Sequence, residues 1–394
     1  MNAVNNPFSP GAGSPPPALV GRDSILQDAD ILLERALRSR TTRSMLMTGL
    51  RGVGKTVMLN KIEQTALQKG SYYTLFLEVR ESESFTTALA SGLRKILFEL
   101  DAIAGYGSKA KKALMVLRNF IGTIKVNMGD ISLDLSPLPG IADSGDFATD
   151  LTDLFLSVAD AAQEQNKGVA LLIDEMQLLI REEFNAIIMA MHKLQQVQKP
   201  LVLIGAGLPT LPKQAGEAKS YAERLFDYPI IGQLSRPDSD KALLEPVQRE
   251  GATFTNEALS AIYHHSQGYP YFLQMWAYQV WNTAGKPRMD LSDVQAATTN
   301  TFYMLDHYFF RVRFDRLTEH EKIFLRAMAE LPDGEYKSAD IARSLKRSSN
   351  SIAPIRDRLI KKGMVYSPRH GSLDFSVPLF ADFLRRAIPC FPPH

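Results

Sequence analysis

The segment Gly49-Leu-Arg-Gly-Val-Gly54-Lys55-Thr56 constrains this chain more than any other. Three glycines within six residues suit neither a strand nor a helix interior, so the backbone must turn here. The residues before it, RSMLMTGL, make a short apolar run suited to a buried strand. Those after it, TVMLNKIEQTALQ, have helical spacing. Strand, glycine turn and helix in that order point backbone N–H groups and a positive helix end at one spot, which is a cradle for phosphate. The pattern is G-x-x-x-x-G-K-[ST]. In it Lys55 reaches β- and γ-phosphates, Thr56 offers a hydroxyl to Mg²⁺, and Gly49, Gly52, Val53, Gly54 and Val57 complete the loop and first turn.

Further apolar runs of strand length follow at YYTLFLEV (72–79), GVALLID (168–174) and PLVLIGAG (200–207), with helical patterns between them, one around 85–103. Continuous rather than alternating apolar strands imply a parallel sheet covered on both faces, an α/β core. GVALLID runs into Asp174-Glu175. An apolar run ending in Asp-Glu is by itself an ordinary strand end with a solvated acid pair. Downstream of a phosphate loop it reads as the partner motif, with Asp174 holding the Mg²⁺ shell and Glu175 orienting or deprotonating the attacking water.

The rest of the chain divides by pattern. Residues 1–18 carry five prolines and predict an extended arm rather than a packed element. Asp23 offers an N-cap to the amphipathic SILQDADILLERAL. IGTIKVNMGDISLDL (121–135) alternates about Asn-Met-Gly-Asp and predicts a β-hairpin inserted in the core. Residues 19–235 form the core on this reading. From 236 to 316 the pattern is helical throughout, a lid subdomain. In 317–390, a capping box at Thr318 and Glu321 opens one helix (317–331), and helices at 338–345 and 351–363 follow. Pro354 fits the last if it begins near Ser351, leaving proline in the first turn. MVYSPRHGSLDFSV then predicts a two-stranded wing turning at Arg369-His370-Gly371, so the module reads as a winged helix-turn-helix.

Composition narrows the chemistry. One cysteine, Cys390, makes neither an intramolecular disulfide nor a cysteine zinc site. The apolar runs are far short of the ~20 residues a membrane span needs, and the N-terminus lacks the pattern of a signal peptide, so a cytoplasmic protein without membrane contact is expected. Lys+Arg number 45 against 43 Asp+Glu, a near-balance that hides an asymmetry. Residues 317–394 hold 13 cations against 9 acids, leaving 32 against 34 elsewhere. Lys346 and Arg347 precede the third helix, Arg356, Arg358, Lys361 and Lys362 lie on or end it, and Arg369 sits at the wing tip. Such a face can contact phosphates of double-stranded DNA, while winged helices equally serve as protein-binding modules. Arg35, Arg38, Arg40 and Arg43 read as a solvated helix end. The pair His264-His265 has no metal-ligand spacing, and the aromatics of TFYMLDHYFFRVRF (301–314) read as packing.

Taken together these residues resemble a known group. Val20-Gly21-Arg22 ahead of a helix resembles the segment that opens many AAA+ and STAND-type ATPase modules. GLRGVGKT, LLIDE and Ala222-Glu-Arg224-Leu-Phe226, in that order, resemble the origin-recognition and archaeal-ATPase branches, over roughly residues 18–390. The resemblance implies a P-loop NTPase parallel sheet with a helical lid subdomain and a C-terminal winged helix-turn-helix. It implies ATP/ADP and Mg²⁺ as cofactors, Val20, Gly21 and Arg22 beside the nucleotide, and Arg224 acting in trans on a neighbour's nucleotide in a homo-oligomer.

Two departures stand out. IGAGLPT, after the fourth strand, lacks the polar residue typical there, and Gln267-Gly268-Tyr-Pro270-Tyr271 lacks the lid arginine of origin-type ATPases. Its G-x-P is similar to STAND ATPases, in which the proline region, here Pro270, packs on the nucleotide. The implied function is a slowly hydrolysing ATP switch coupled to DNA. The alternatives are a signalling or defence regulator whose winged helix binds protein, or a nucleotide-binding scaffold with negligible turnover.

Overall fold

The four apolar runs become four strands of one sheet in the computed structural model, which describes residues 1–11, 13–104, 109–123, 138–332, 334, 336–369 and 371–391. They are β1 (Ser44–Thr48), β2 (Tyr72–Glu78), β3 (Gly168–Asp174) and β4 (Leu201–Gly207), joined at the edge by the two-residue β5 (Phe226–Asp227). All pair in parallel in the order β2-β3-β4-β1-β5. Every residue of β1, β3 and β4 is buried, which is why these runs are apolar without alternation. Met45 of β1 and Leu172 of β3 both lie opposite Ile204. The carboxyl ends of the three strands are therefore level, so the glycine loop and Asp174 leave the sheet from the same edge. Ligands of open parallel sheets bind at that edge.

The chain forms two compact units, and one comprises Asp23–Gly49 and Lys55–Ile231. Besides the sheet it holds α1 (Asp23–Leu37), α2 (Lys55–Gln68), α3 (Phe85–Ala104), α4 (Lys109–Thr123), α5 (Phe147–Glu164), α6 (Arg181–Gln196), α7 (Leu211–Ala218) and the single turn α8 (Ala222–Leu225). Its core joins Leu171, Ile173 and Leu203 of the sheet to Phe155 of α5 and Ile187 of α6. Each such side chain contributes about 1.5–3 kcal/mol by leaving water. The hairpin expected at 121–135 falls outside the described residues, except that residues 121–123 are the last turn of α4.

The other unit comprises Met1–Arg22, Leu50–Gly54 and the residues from Gly232 onward. It holds α9 (Arg236–Arg249), α10 (Asn256–Ser266), α11 (Pro270–Thr283), α12 (Leu291–Met304), a π-helical turn at Leu305–Phe310 and α13 (Arg311–Phe314). The pattern here is not helical throughout, because β6 (Thr253–Phe254) pairs in parallel with β7 (Arg288–Met289). Strands of two residues leave no period to read. The Pro-rich arm is also anchored, contrary to expectation. Phe8 is buried, the Asn6 amide donates to the Tyr278 carbonyl at 3.0 Å, and the Trp281 indole N–H donates to the Asn2 carbonyl at 2.9 Å.

The terminal segment runs α14 (Glu319–Ala329), β8 (Tyr336–Lys337), α15 (Ser338–Ser344), α16 (Ser349–Lys361), β9 (Val365–Tyr366), β10 (Ser372–Phe375) and α17 (Phe380–Ala387). The expected capping box is formed: the Thr318 N–H donates to Glu321 Oε2 at 2.8 Å, and the Glu321 N–H donates to Thr318 Oγ1 at 3.4 Å. The antiparallel sheet has a third strand, β8, beside the two of the expected wing, in the order β8-β10-β9. α16 begins at Ser349 with Ser348 as cap, so Pro354 lies past the first turn. The ring deprives the Asn350 carbonyl of its helical donor, and because Asn350 is exposed, water can replace it.

Candidate nucleotide site

The two sequence motifs meet at the end of the sheet. Thr56 Oγ1, at the start of α2, donates to Asp174 Oδ2 at 2.6 Å. Asp174 is buried, and burial pushes its carboxyl above the ordinary range. The Thr56 hydroxyl, the Glu175 N–H and the Lys55 charge pull it back only in part. A buried carboxylate short of compensating charge, facing a hydroxyl, is the donor set a small hard cation takes with one or two protein ligands. Among the described residues no cluster of three or more His, Cys, Asp or Glu could hold a metal alone. Mg²⁺ carried by phosphates fits this pair.

Lys55 is buried too, and its Nζ donates to the Gly49 carbonyl at 3.0 Å. The loop between them has Gly52 at φ 82° and Gly54 at φ 98°. A Cβ on Gly54 would meet nothing within 4 Å, so backbone conformation rather than crowding demands glycine there. Val53 is buried and Val57 half-buried. A Cβ on Gly52 would lie 3.1 Å from Tyr269 Cε1 and 3.5 Å from Tyr271 Cβ. Pro270 itself takes the first position of α11, where its missing N–H costs nothing. Its two tyrosine neighbours are the side chains nearest to Gly52.

Glu175 follows β3 in the left-handed region at φ 54°, with its N–H donating to Asp174 Oδ1 at 2.8 Å. The Gln177 side-chain amide donates to Glu175 Oε2, and Gln177 Oε1 accepts the Leu208 N–H at 3.0 Å. A Cβ on Gly207 would come 2.8 Å from that oxygen. The polar group missing from IGAGLPT is thus supplied from the short turn after β3 (Met176–Leu178), by a residue that sequence reading passed over. Its only linear signal is a glutamine two residues beyond Asp174-Glu175.

The remaining candidates fall elsewhere. Arg22 is buried and donates to the carbonyls of Gly21, at 3.2 Å, and Gly232. Burial lowers its pKa, with the Asp238 charge opposing. A Cβ on Gly21 would stand 2.8 Å from Asp238 Oδ2, and Val20 is half-buried. Arg224 is exposed on α8 and has no ion pair among the described residues. The nearby Asp227 pairs with Arg43 at 3.1 Å instead.

The basic face of the terminal segment is partly neutralised. Arg358 and Lys362 reach the fully buried Glu321 at 3.4 and 2.7 Å, and Arg356 pairs with Asp357 at 3.0 Å. Burial alone would raise the Glu321 carboxyl, but Lys362 and the Thr318 N–H outweigh it and hold it below the ordinary range. Lys346, Arg347 and Lys361 are exposed without an ion pair among the described residues, and Arg369 is exposed. His265 stacks on Trp276 at 5.6 Å and Phe310 on Phe383 at 5.2 Å, so these aromatics are packing.

Residues 18–204 match the family described as AAA ATPase domain, and residues 307–384 match a domain of unknown function. No curated protein matches the chain. Among solved structures, the Walker-type ATPase of Pyrococcus abyssi shares 14% identity at TM-score 0.57, covering 93% of this chain and 96% of that one. The Cdc6p of Pyrobaculum aerophilum shares 16% at TM-score 0.48, with 99% and 98% covered. The Orc1 protein of Aeropyrum pernix in complex with DNA shares 14% at 0.47, with 94% and 93% covered. At these identities the first shows a common fold and nothing finer. Among the described residues no helix is long and apolar enough to cross a membrane.

Proposed function

We propose, for a chain whose residues 18–204 match the AAA ATPase domain family, that it is a slowly hydrolysing ATP switch acting on a winged-helix module. The observation that carries this reading is the 2.6 Å contact between Thr56 and a buried Asp174 of raised pKa. On this reading Lys55 leaves the Gly49 carbonyl for β- and γ-phosphate oxygens, and Thr56 and Asp174 hold the Mg²⁺ shell. When bound, Mg²⁺ neutralises charge on the phosphates. Glu175 accepts a proton from the attacking water. Gln177 fixes the direction of that carboxylate, so its release from Gln177 is the slow step in turnover on this reading. Arg224, exposed and without an ion pair among the described residues, serves a neighbouring copy's nucleotide. The parts are an arm (1–18), a core (19–235), a lid (236–316) and a winged helix (317–390).

Lys346, Arg347, Arg356, Lys361 and Arg369 are the residues assigned to double-stranded DNA. The second reading, a winged helix that binds protein, is favoured by the pairing of Arg356, Arg358 and Lys362 with carboxylates. A salt titration with duplex DNA separates the two. Phosphate contact gives an affinity that falls steeply with added salt, and no binding at low salt removes the DNA reading. For the switch itself, ATP binding by Lys55→Ala at wild-type affinity would remove the nucleotide assignment.

A further inference from the structure

Arg51, inside the glycine loop, and Arg313, on α13, belong to the same compact unit as Tyr269, which precedes α11. After burial, Arg51 acts most strongly on Arg313, ahead of Tyr269, Tyr271 and Arg316, and the charges that act on Tyr269 are Arg313 and Arg51. No carboxylate is named among these charges. Among the described residues, Arg51 Nε is buried without a hydrogen-bond partner, and so is the hydroxyl of Tyr269, a residue with 0% exposure. The Arg51 guanidinium lies flat against Gly363, whose Cβ, if added, would stand 2.7 Å from Nη2. Arg313 spends one N–H on the Phe309 carbonyl and rests its guanidinium 4.1 Å from the Phe309 ring centre. The Tyr269 hydroxyl is 3.5 Å from where a Cβ on Gly52 would be, so this cluster adjoins the loop that carries Arg51.

Two guanidinium groups with no paired acid among the described residues repel one another until an anion joins them, and a buried hydroxyl with no acceptor still has a hydrogen bond to give. The fork of a guanidinium matches a phosphate with two parallel hydrogen bonds, and a tyrosine hydroxyl supplies a third. We infer that Arg51, Arg313 and Tyr269 form an oxyanion site for a phosphate group, filled by the terminal phosphate of the nucleotide that the same loop holds. Neither arginine belongs to Gln267–Tyr271, the stretch where the family resemblance would put one. The inference rests on the proposed nucleotide reading.

The test uses the full chain with Mg²⁺ and measures calorimetric affinities for ATPγS, ADP and inorganic phosphate. Arg51→Ala and Arg313→Met should each weaken ATPγS about tenfold or more while ADP changes less than about threefold. Tyr269→Phe should lose about threefold on ATPγS alone. If the ligand is free phosphate, the wild type with ADP binds phosphate and Arg51→Ala with ADP does not, which keeps the oxyanion site and changes its source. Variants that melt like the wild type yet keep both the ATPγS-to-ADP ratio and phosphate binding overturn the proposal, and Arg51→Lys, which retains charge but loses the fork, checks this where alanine unfolds. Lys55→Ala should lose ATPγS and ADP alike. If it does not, the nucleotide reading fails, while the phosphate arm still judges the oxyanion site.

Discussion

Two clusters, one in each compact unit, treat charge in opposite ways. Around Lys55, Thr56 and Asp174 each polar group rests on a partner: ammonium on the Gly49 carbonyl, hydroxyl on carboxylate, Glu175 on the Gln177 amide. Around Arg51 and Arg313 two cations act on each other and on a buried hydroxyl, with no ion pair to an acid among the described residues. A partnered group gains from a ligand only the difference between two hydrogen bonds, whereas an unpartnered one gains the whole bond. The first arrangement holds geometry before a ligand arrives. The second supplies discrimination when one does.

The largest effect should come from Lys55→Ala. Removing the ammonium from the loop should cut ATP turnover by about two orders of magnitude or more, measured as phosphate release. Glu175→Gln should lower turnover by a similar factor of about 10²–10⁴ while ATP affinity stays at the wild-type level. Equal rates in the two proteins would remove Glu175 from catalysis. Gln177→Ala frees the same carboxylate without deleting it, so turnover should change by about three- to tenfold at constant ATP affinity. A change in affinity alone would make Gln177 merely structural.

The smaller effects concern stability, and here the two units should differ in sign. The folded Asp174 carboxyl binds its proton more tightly than the unfolded one, so its contribution favours folding at lower pH and turns unfavourable as pH rises through the raised folded value. Asp174→Asn should therefore raise the melting temperature of the nucleotide-free protein at neutral pH by about 2–4 °C for each kcal/mol relieved, while abolishing Mg²⁺-dependent hydrolysis. Glu321 is the reverse case. Its depressed pKa stabilises the fold above the ordinary carboxylate range of about 4.3, and that stability is lost as pH falls through the folded value. Glu321→Gln should cost about 2 kcal/mol at neutral pH and flatten the acid limb of thermal unfolding, read by calorimetry. Parallel pH trends for the two substitutions would break the contrast between the units.

Legibility followed range. Gly168–Asp174 was readable to the residue, because a strand buried on both faces is apolar throughout. The Thr318–Glu321 capping box was readable because both partners lie within one turn. β5, β6, β7 and β8 were not, since two residues carry no period and exist only through their sheet partners. Pro354 misled because exposure lets water accept what proline denies the helix. The basic face read as one surface until Glu321, far off in sequence, claimed Arg358 and Lys362.

The sequence by itself determined the phosphate loop, its Asp174 partner and the parallel sheet, because each is written in local spacing and in apolar runs. Only the tertiary structure decided that Gln177 holds Glu175 and that Arg51 and Arg313 act on each other with no acid paired to either among the described residues. Those pairings depend on which side chains folding brings within a few ångströms, and electrostatic and hydrogen-bond energies fall off with that distance, not with separation along the chain.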